Sequence, residues 1–294
     1  MDDAFAAGDR FLLNQARLLE RRIFAACFLG QPAGHVVDAV RAYQNDDGGF
    51  GHALEPDTRC PASLPIYVET AFQALVAAGT ADRDLVSRAC DFLERAAAAA
   101  GAGGAVPLAT PVIESFPRAG HWTEWTYSPG LNPTAGLVGL LYQLGVDHPW
   151  RAQAAAWCWH ALETGGLPRD AHSLSEVLIF LEHVPQQDRA STLAAGLPAH
   201  LPSVDMLHLD PDAAGYGLSP LQLAPQPGSR WRSLFAEAQI DAHLDRLERA
   251  QQPDGGWPIT WEPPSEAATL EWRGIVTLQA LRTLTAYKRL TPDV

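Results

Sequence analysis

A glycine-bearing segment of seven residues occurs twice in this chain, at 44–50 as Gln-Asn-Asp-Asp-Gly-Gly-Phe and at 251–257 as Gln-Gln-Pro-Asp-Gly-Gly-Trp. Each copy closes a segment with helical periodicity and precedes a later segment with Gln-Ala-Leu, at 73–75 and 279–281. The preserved order predicts a helical hairpin that the chain uses more than once. Paired glycines let the backbone leave a helix in a left-handed conformation, Gln and Asp can bond the freed backbone groups, and the aromatic ring can pack against neighbouring helices.

The spacing Gln-x-x-Asp-Gly-Gly-Phe/Trp resembles the glutamine-tryptophan repeat of the terpenoid cyclase and protein prenyltransferase superfamily. The resemblance implies an all-α fold, an α/α toroid built as a complete or incomplete α6/α6 barrel of helical hairpins around a central cavity. Because the two copies lie near the two ends of the chain, we expect one toroid domain over residues 1–294. Segments 54–57, 132–135 and 271–274 also resemble a squalene-cyclase-like or prenyltransferase-like bacterial branch.

Composition narrows the range of partners. The net charge of −13 and the pI near 5.1 disfavour binding to nucleic acid or to an anionic membrane surface. No run approaches the ~18 apolar residues of a spanning helix, and the first residues lack the pattern of a secretion signal. The spacing of Cys27, Cys60, Cys90 and Cys158 suits reduced thiols. We therefore expect a cytoplasmic protein without membrane insertion, for which a homo-oligomer is possible.

Hydrophobic periodicity predicts helices through most of the chain. The predicted helices cover residues 8–28, 33–45, 65–79, 82–99, 133–145, 149–163, 172–184, 187–199, 219–224, 231–252 and 266–288. Connections from outer to inner helices are long, at 46–64, 100–131, 164–171, 200–218 and 253–265, whereas those leading back are mostly short. Since connections of one direction gather at one end of an antiparallel hairpin array, the long loops should share a rim, where we expect the functional site.

The rim segments combine carboxylates with tryptophans. Burial against an apolar wall raises a carboxyl pKa and favours a general acid, while aromatic faces stabilise a cation or stack on a sugar. On resemblance, Glu55 and Asp57 match the first and third positions of the Asp-x-Asp-Asp motif of class II terpene cyclases, which implies that Asp57 is the proton donor. Thr58 replaces the last acid of that motif. A structural role, in which Glu55 and Asp57 cap helices or pair with Arg59, is an equal alternative.

The other candidate residues come from the same rim. Glu271 joins Asp57 and Glu55 as a candidate catalytic residue, because adjacent residues on a helix cannot pair and either it or Arg273 could face the cavity. An inter-helix salt bridge from this pair to Glu55, Asp57 or Glu69 is the structural alternative. The candidate substrate-binding residues are His52, Trp122, Glu124, Trp125, His172, Trp261 and Arg273.

No metal or cofactor is predicted. In protein prenyltransferases the zinc ligands include an Asp-x-Cys pair, and residues 57–60, Asp-Thr-Arg-Cys, carry one residue too many. The sequence has no Asp-Asp-x-x-Asp signature for magnesium and diphosphate and no Walker or dinucleotide-binding glycine pattern.

Three functions remain open at this stage. The most concrete is an acid-initiated reaction on an apolar, isoprenoid-type small molecule in a central cavity. A carbohydrate-active hydrolase or lyase is the second, because α/α toroids also host such enzymes and carboxylates beside tryptophans suit glycosides. A non-catalytic binding protein that retains the toroid is the third, since the acid motif is incomplete.

Overall fold

A computed structural model describes residues 3–123 and 126–292. Within these ranges the chain forms α-helices, short 3₁₀ turns and four isolated bridges, without a β-strand. The helices are α1 (Asp3–Gln15), α2 (Leu18–Phe28), α3 (Gly34–Arg41), α4 (Pro65–Ala77), α5 (Arg83–Ala100), α6 (Leu131–Gln143), α7 (Pro149–Gly165), α8 (Ala171–His183), α9 (Gln187–Ala194), α10 (Leu197–His200), α11 (Pro220–Leu223), α12 (Glu237–Arg249) and α13 (Glu266–Ala286). The prediction of an all-α fold is confirmed.

The predicted helix 8–28 is wrong, because the chain breaks between α1 and α2. Arg17 takes an extended backbone conformation, φ −62° and ψ 163°. Its guanidinium donates to the carbonyls of Ala53 and Leu54 at 3.3 and 2.8 Å and pairs with Glu20 at 2.6 Å. A buried guanidinium needs several acceptors, and a continuous helix would not bring Arg17 to them.

Two further helix boundaries also differ from the prediction. The predicted helix 231–252 begins only at α12, because residues 230–234 form a 3₁₀ turn in which the Trp231 indole donates to the Leu178 carbonyl at 3.1 Å. The predicted helix 187–199 is divided into α9 and α10. In the first case a tertiary hydrogen bond sets where the helix begins.

The two copies of the repeated segment fold into the same turn. Gly48 and Gly255 have φ of 87° and 91°, conformations that favour glycine. Asp47 and Asp254 each accept a hydrogen bond from the second glycine of their copy, at 3.0 and 3.1 Å. The aromatic residues Phe50 and Trp257 are buried. The predicted roles of glycine, Asp and aromatic residue in this segment are confirmed.

The glutamine of each copy fastens its turn to another helix. Gln44 Nε2 donates to the carbonyl of Gly48 and to that of Leu85 on α5, both at 2.9 Å. Gln251 Nε2 donates to Gly255 at 2.9 Å and to Ala4 on α1 at 2.8 Å. The second copy therefore docks on the N-terminal helix α1. The contact of the second turn with α1 is equivalent to the contact of the first turn with α5.

The central helices pack closely around glycines of α6. α6 contacts α4, α7 and α8, while α13 contacts α1, α2 and α12. A Cβ on Gly139 would lie 2.6 Å from the Ile179 carbonyl oxygen, so that only glycine allows α6 and α8 their separation. The buried apolar side chains form one cluster, from Phe5 to Leu290. No described helix has both the length and the apolar character to cross a membrane.

Candidate functional site

Asp57 lies at the centre of the candidate site, on the loop between the first glycine turn and α4. Its backbone is held by the loop 101–130, since the Ala119 N–H donates to the Asp57 carbonyl at 2.7 Å. The residue is 5% exposed. Its Oδ1 accepts hydrogen bonds from the indoles of Trp272 and Trp261, at 2.7 and 3.2 Å. Its Oδ2 lies 3.7 Å from His121 Nε2, on a side chain that is 49% exposed.

Three aromatic residues, Tyr216, Trp261 and Trp272, form what we call the aromatic wall beside Asp57. The rings of Trp261 and Trp272 meet edge to face at 5.0 Å, and those of Tyr216 and Trp261 do so at 5.4 Å. At its far end, the Tyr216 hydroxyl lies 2.7 Å from His172 Nε2, with the two rings stacked at 5.6 Å. A buried carboxyl thus lies at one end of the wall and a tyrosine–histidine pair at the other.

The long connections supply most of this site. Asp57, His121, Tyr216 and Trp261 each come from a different one of them. His172 lies in the first turn of α8, which Asp170 caps by accepting from the Ser173 N–H at 2.8 Å. Four of the long connections therefore meet in one place, as the sequence predicted for long connections that run in the same direction.

Burial raises the pKa of the Asp57 carboxyl above its ordinary value. The hydrogen bond from Trp272, the neighbouring His121 and the hydrogen bond from Trp261 each oppose that rise, in that order, without cancelling it. Because the indoles occupy Oδ1, Oδ2 is the oxygen that can carry a proton toward a ligand. A protonated carboxyl in such a position can serve as a general acid.

Glu55 lies behind Asp57 and is buried. Burial, and then the charge of Asp57, raise the pKa of Glu55 well above its ordinary value, while a hydrogen bond from the Asp57 backbone opposes the rise. Its Oε2 is buried without a hydrogen-bond donor among the described residues. If Glu55 is neutral, no unpaired charge is buried next to Asp57. Glu55 is therefore a titratable neighbour of Asp57 and is not itself placed to contact a ligand.

The structure places Glu271 in an ion pair. Arg59 Nη1 and Nη2 donate to its two carboxylate oxygens at 2.5 and 3.2 Å. One guanidinium thus engages both oxygens of this carboxylate. Glu271 therefore ties α13 to the loop of Asp57, and Arg59 pairs with it and not with Glu55 or Asp57, contrary to the structural alternative.

Arg273 is on α13, and its guanidinium reaches the second glycine turn and not the aromatic wall. Its guanidinium donates to both carboxylate oxygens of Asp254 at 2.8 Å and lies 4.6 Å from the centre of the Phe11 ring. The predicted salt bridge from Arg273 to Glu55, Asp57 or Glu69 is wrong, because both carboxylate oxygens of Asp254 accept from its guanidinium.

Two further sequence candidates, His52 and Trp122, lie apart from the aromatic wall. His52 is exposed, and its Nε2 lies 3.0 Å from Asn45 Oδ1 in the first glycine turn. Trp122 is 2% exposed and packs in the hydrophobic core beside His121, with ring centres 5.4 Å apart. Glu124 and Trp125 lie outside the described residues.

Three residues of the site were not among the sequence candidates: His121, Tyr216 and Trp272. His121 and Trp272 each stand next to a candidate, Trp122 and Glu271, and helical position alone did not show which of the neighbours faces inward. Tyr216 lies in an exposed loop rich in Gly and Pro, where local sequence carries no signal for a site.

A second pair of acids lies deeper, between α4 and α8. Burial, and then the charge and hydrogen bond of Glu176, raise the pKa of Glu69 well above its ordinary value. Burial also raises the pKa of Glu176, to about 7, although its hydrogen bond from Glu69 opposes the rise. Glu69 is therefore the protonated partner that donates to Glu176. Gln73 donates to Glu69 at 3.1 Å and Ser175 to Glu176 at 3.3 Å.

One group of side chains in the described ranges has atoms placed to hold a metal: Asp91, Glu94 and His148, with possible ligand atoms within 4.8 Å of one another. His148 is the N-cap of α7, since its Nδ1 accepts from the Trp150 N–H at 3.2 Å. Its Nε2 donates to Asp91 at 3.1 Å. Both ring nitrogens are thus used in holding α7 to α5, which accounts for the group without an ion.

The fold has a counterpart among solved structures. No family model and no curated protein matches this sequence. The chain is similar to the crystal structure of a protein from Actinoplanes, with a TM-score of 0.58 and 21% sequence identity. The alignment covers 96% of this chain and 99% of that one. At this identity the similarity concerns the fold, and it extends over nearly all of both chains.

Proposed function

We propose that the chain is an α/α toroid whose rim site starts a reaction on an apolar, isoprenoid-type small molecule by protonating it from Asp57. The observation that carries the proposal is the geometry of the Asp57 carboxyl. Its Oδ1 accepts hydrogen bonds from two indole N–H groups, and its Oδ2 lies 3.7 Å from the half-exposed His121. Burial favours its protonated form. The aromatic wall beside it offers the π faces that stabilise the cation formed by protonation of an alkene.

Helix packing supports the toroid. α2, α4, α6 and α8 are each in contact with the next of them, α8 contacts α11, and α13 contacts α2. The outer helices α3, α5, α7, α9 and α12 each contact at least one of these helices. Together with the docking of the second glycine turn on α1, these contacts support the proposal of a ring of helical hairpins.

The carboxyl groups favour this reaction over hydrolysis of a glycoside. A glycosidase uses two carboxyl groups, one on each side of the scissile bond. Here Glu271 is held by Arg59, and Glu55 is buried behind Asp57 on the same loop. Asp57 contacts the aromatic wall through Oδ1, and its Oδ2 lies 3.7 Å from His121 Nε2.

The test is to incubate the protein with squalene, farnesyl diphosphate and geranylgeranyl diphosphate in deuterium oxide and to analyse the products by mass spectrometry. We expect a cyclised or isomerised product with one deuterium from solvent, because the proton of Asp57 exchanges with water. Asp57→Asn keeps an acceptor for both indoles but has no acidic proton. It should lose activity by about 10²-fold or more, the usual contribution of a general acid.

Asp212→Asn is the matched control, because Asp212 is an exposed acid of a long loop that forms an ion pair with Arg246 at 3.4 Å. Its product yield should equal that of the wild type. A product without solvent deuterium, or an Asp57→Asn variant with undiminished yield, would show that Asp57 does not start the reaction.

A further inference from the structure

Two neighbouring residues of α13, Glu271 and Trp272, bind the loop of Asp57 side by side. Glu271 accepts from Arg59 at both carboxylate oxygens, at 2.5 and 3.2 Å. The Trp272 indole donates to Asp57 Oδ1 at 2.7 Å. Because Arg59 follows Asp57 by two residues, the ion pair and the indole hydrogen bond join the same helix to the same loop.

The loop that carries Asp57 is attached on both sides of a strained backbone. His52 and Ala53 have φ of 59° and 60°, in the left-handed region that non-glycine residues rarely adopt. Such conformations persist only where the surrounding structure holds them. Upstream of Asp57, the Arg17 guanidinium donates to the Ala53 carbonyl at 3.3 Å. Downstream, Arg59 supplies the second attachment.

The geometry of the Arg59–Glu271 ion pair makes it a rigid attachment. The guanidinium and the carboxylate meet at two pairs of atoms, which fixes their relative orientation as well as their distance. The two side chains are 30% and 20% exposed, so that salt screens this pair less than one on the open surface. Consecutive side chains leave a helix about 100° apart, and fixing Glu271 against Arg59 therefore also sets the direction of Trp272.

We propose that Arg59 and Glu271 are positioning residues, which hold the Trp272 indole N–H on Asp57 and thereby set the strength of that acid. The ion pair acts on Asp57 through the indole. Its part in catalysis rests on the proposed function, whereas its effect on the Asp57 carboxyl does not.

The hydrogen bond from Trp272 is the contact through which this effect passes. Burial raises the pKa of Asp57, and the Trp272 hydrogen bond is the largest of the interactions that oppose the rise. An N–H donor stabilises the ionised carboxylate more than the neutral carboxyl. Loss of the ion pair should therefore leave Asp57 a weaker acid. Three other titratable groups interact with Asp57 and stay the same in the variants below: Glu55, His121 and Tyr216.

An NMR titration of Asp57 tests the assignment without a substrate. With aspartate isotopically labelled at the side-chain carboxyl, the Asp57 signal is the one absent from Asp57→Asn. We expect Trp272→Phe, which keeps an aromatic ring and removes the N–H, to titrate at higher pH than the wild type. Glu271→Ala and Arg59→Ala should shift the titration in the same direction. In the Trp272→Phe background, Glu271→Ala should add no further shift, because the contact that transmits it is gone.

Glu271→Gln keeps the size of the side chain and one acceptor, and it provides a milder variant that disturbs packing less. Its titration should lie between those of the wild type and Glu271→Ala. Arg273→Ala is the matched control, since Arg273 is on the same helix but pairs with Asp254 in the second glycine turn. Asp57 should titrate in Arg273→Ala as in the wild type. A shift as large as that of Glu271→Ala would mean that any loosening of α13 moves the indole, and would overturn the assignment.

The pH dependence of the proposed reaction gives a second measurement, with the isoprenoid that the wild type converts. Asp57 must be protonated to start the reaction, so that the rate falls as pH rises through its pKa. In Glu271→Ala this fall should move to higher pH, and the rate on the acidic side should decrease about tenfold, because a weaker acid gives up its proton more slowly. A purely structural loss would lower the rate and leave the pH of the fall unchanged, which would contradict the positioning role.

The two proposals fail in different ways. An Asp57 signal that titrates alike in the wild type, Trp272→Phe and Glu271→Ala would overturn the positioning role, whatever the activity. Absence of turnover in the wild type, together with a shifted titration in the variants, would overturn the proposed reaction and leave the positioning of the indole standing.

Discussion

Gly136 on α6 shows how one residue without a side chain can determine where a buried carboxyl group lies. A Cβ at this position would lie 1.5 Å from Glu176 Oε2 and 2.7 Å from its Cδ. Glu176 is buried and bonded to Glu69, which limits its room to move aside. The space above Gly136 is therefore occupied by a carboxyl group that α6 could not otherwise accommodate.

At this scale we predict that Gly136→Ala lowers the free energy of unfolding by about 1–3 kcal/mol, the usual cost of overfilling a packed interior. Denaturant unfolding measures it. Gly34→Ala, on α3 with no atom within 4 Å of the added Cβ, is the control and should change stability little. In a Glu176→Ala background the cost of Gly136→Ala should fall below about 1 kcal/mol. An equal cost in both backgrounds would mean that the carboxyl is not the obstacle.

At the scale of elements, the Glu69–Glu176 pair links α4 to α8 through a shared proton. A glutamate whose pKa is raised in the folded protein holds more protons there than in the unfolded chain at every pH between its ordinary value and its raised value. Stability therefore falls as pH rises through that window, and the loss is complete above it. For Glu176 the window runs from 4.5 to about 7.

The corresponding prediction concerns Glu176→Gln, which keeps the acceptor and cannot ionise. Relative to wild type, the variant should gain free energy of unfolding as pH rises from 5 to 8, by on the order of 1–3 kcal/mol. Urea unfolding at several pH values measures the difference between the two proteins. Glu266→Gln, an exposed residue of α13, is the control. A parallel pH dependence of wild type and Glu176→Gln would show that the pair does not share a proton.

At the scale of the whole molecule, contacts between the two ends of the chain hold the helices in place. Gln251 bonds α1, and Arg59 pairs with Glu271 across 212 residues of sequence. The first glycine turn makes the same glutamine contact with α5, which lies 41 residues away. The first copy of the motif therefore connects two segments that are close in sequence. The second copy connects the two ends of the chain.

We predict that Gln251→Ala and Gln44→Ala loosen different helices. Each variant loses two hydrogen bonds of the glutamine amide, at about 1 kcal/mol each. Amide hydrogen exchange should accelerate about tenfold in α1 for Gln251→Ala and in α5 for Gln44→Ala. Exchange that rises equally in both helices in each variant would contradict a separate role for the two turns.

Sequence alone determined those features that depend on neighbours along the chain. Helical periodicity fixed most helices, and the duplicated glycines fixed two identical turns, because only glycine adopts φ near 90° without strain. Sequence also placed Asp57, His172 and Trp261 on loops and helix starts of one rim.

Tertiary structure decided the partners. Which of the adjacent residues 271–273 faces Asp57, where Arg17 interrupts a helix, and which loop brings Tyr216 to His172 all depend on atoms far apart in sequence. Glu271 pairs with Arg59 and Arg273 pairs with Asp254, because a guanidinium binds best where both oxygens of a carboxylate lie within its reach. The amino-acid sequence shows which residues can form such ion pairs. Only the folded structure sets the distances that decide which of the possible partners meet.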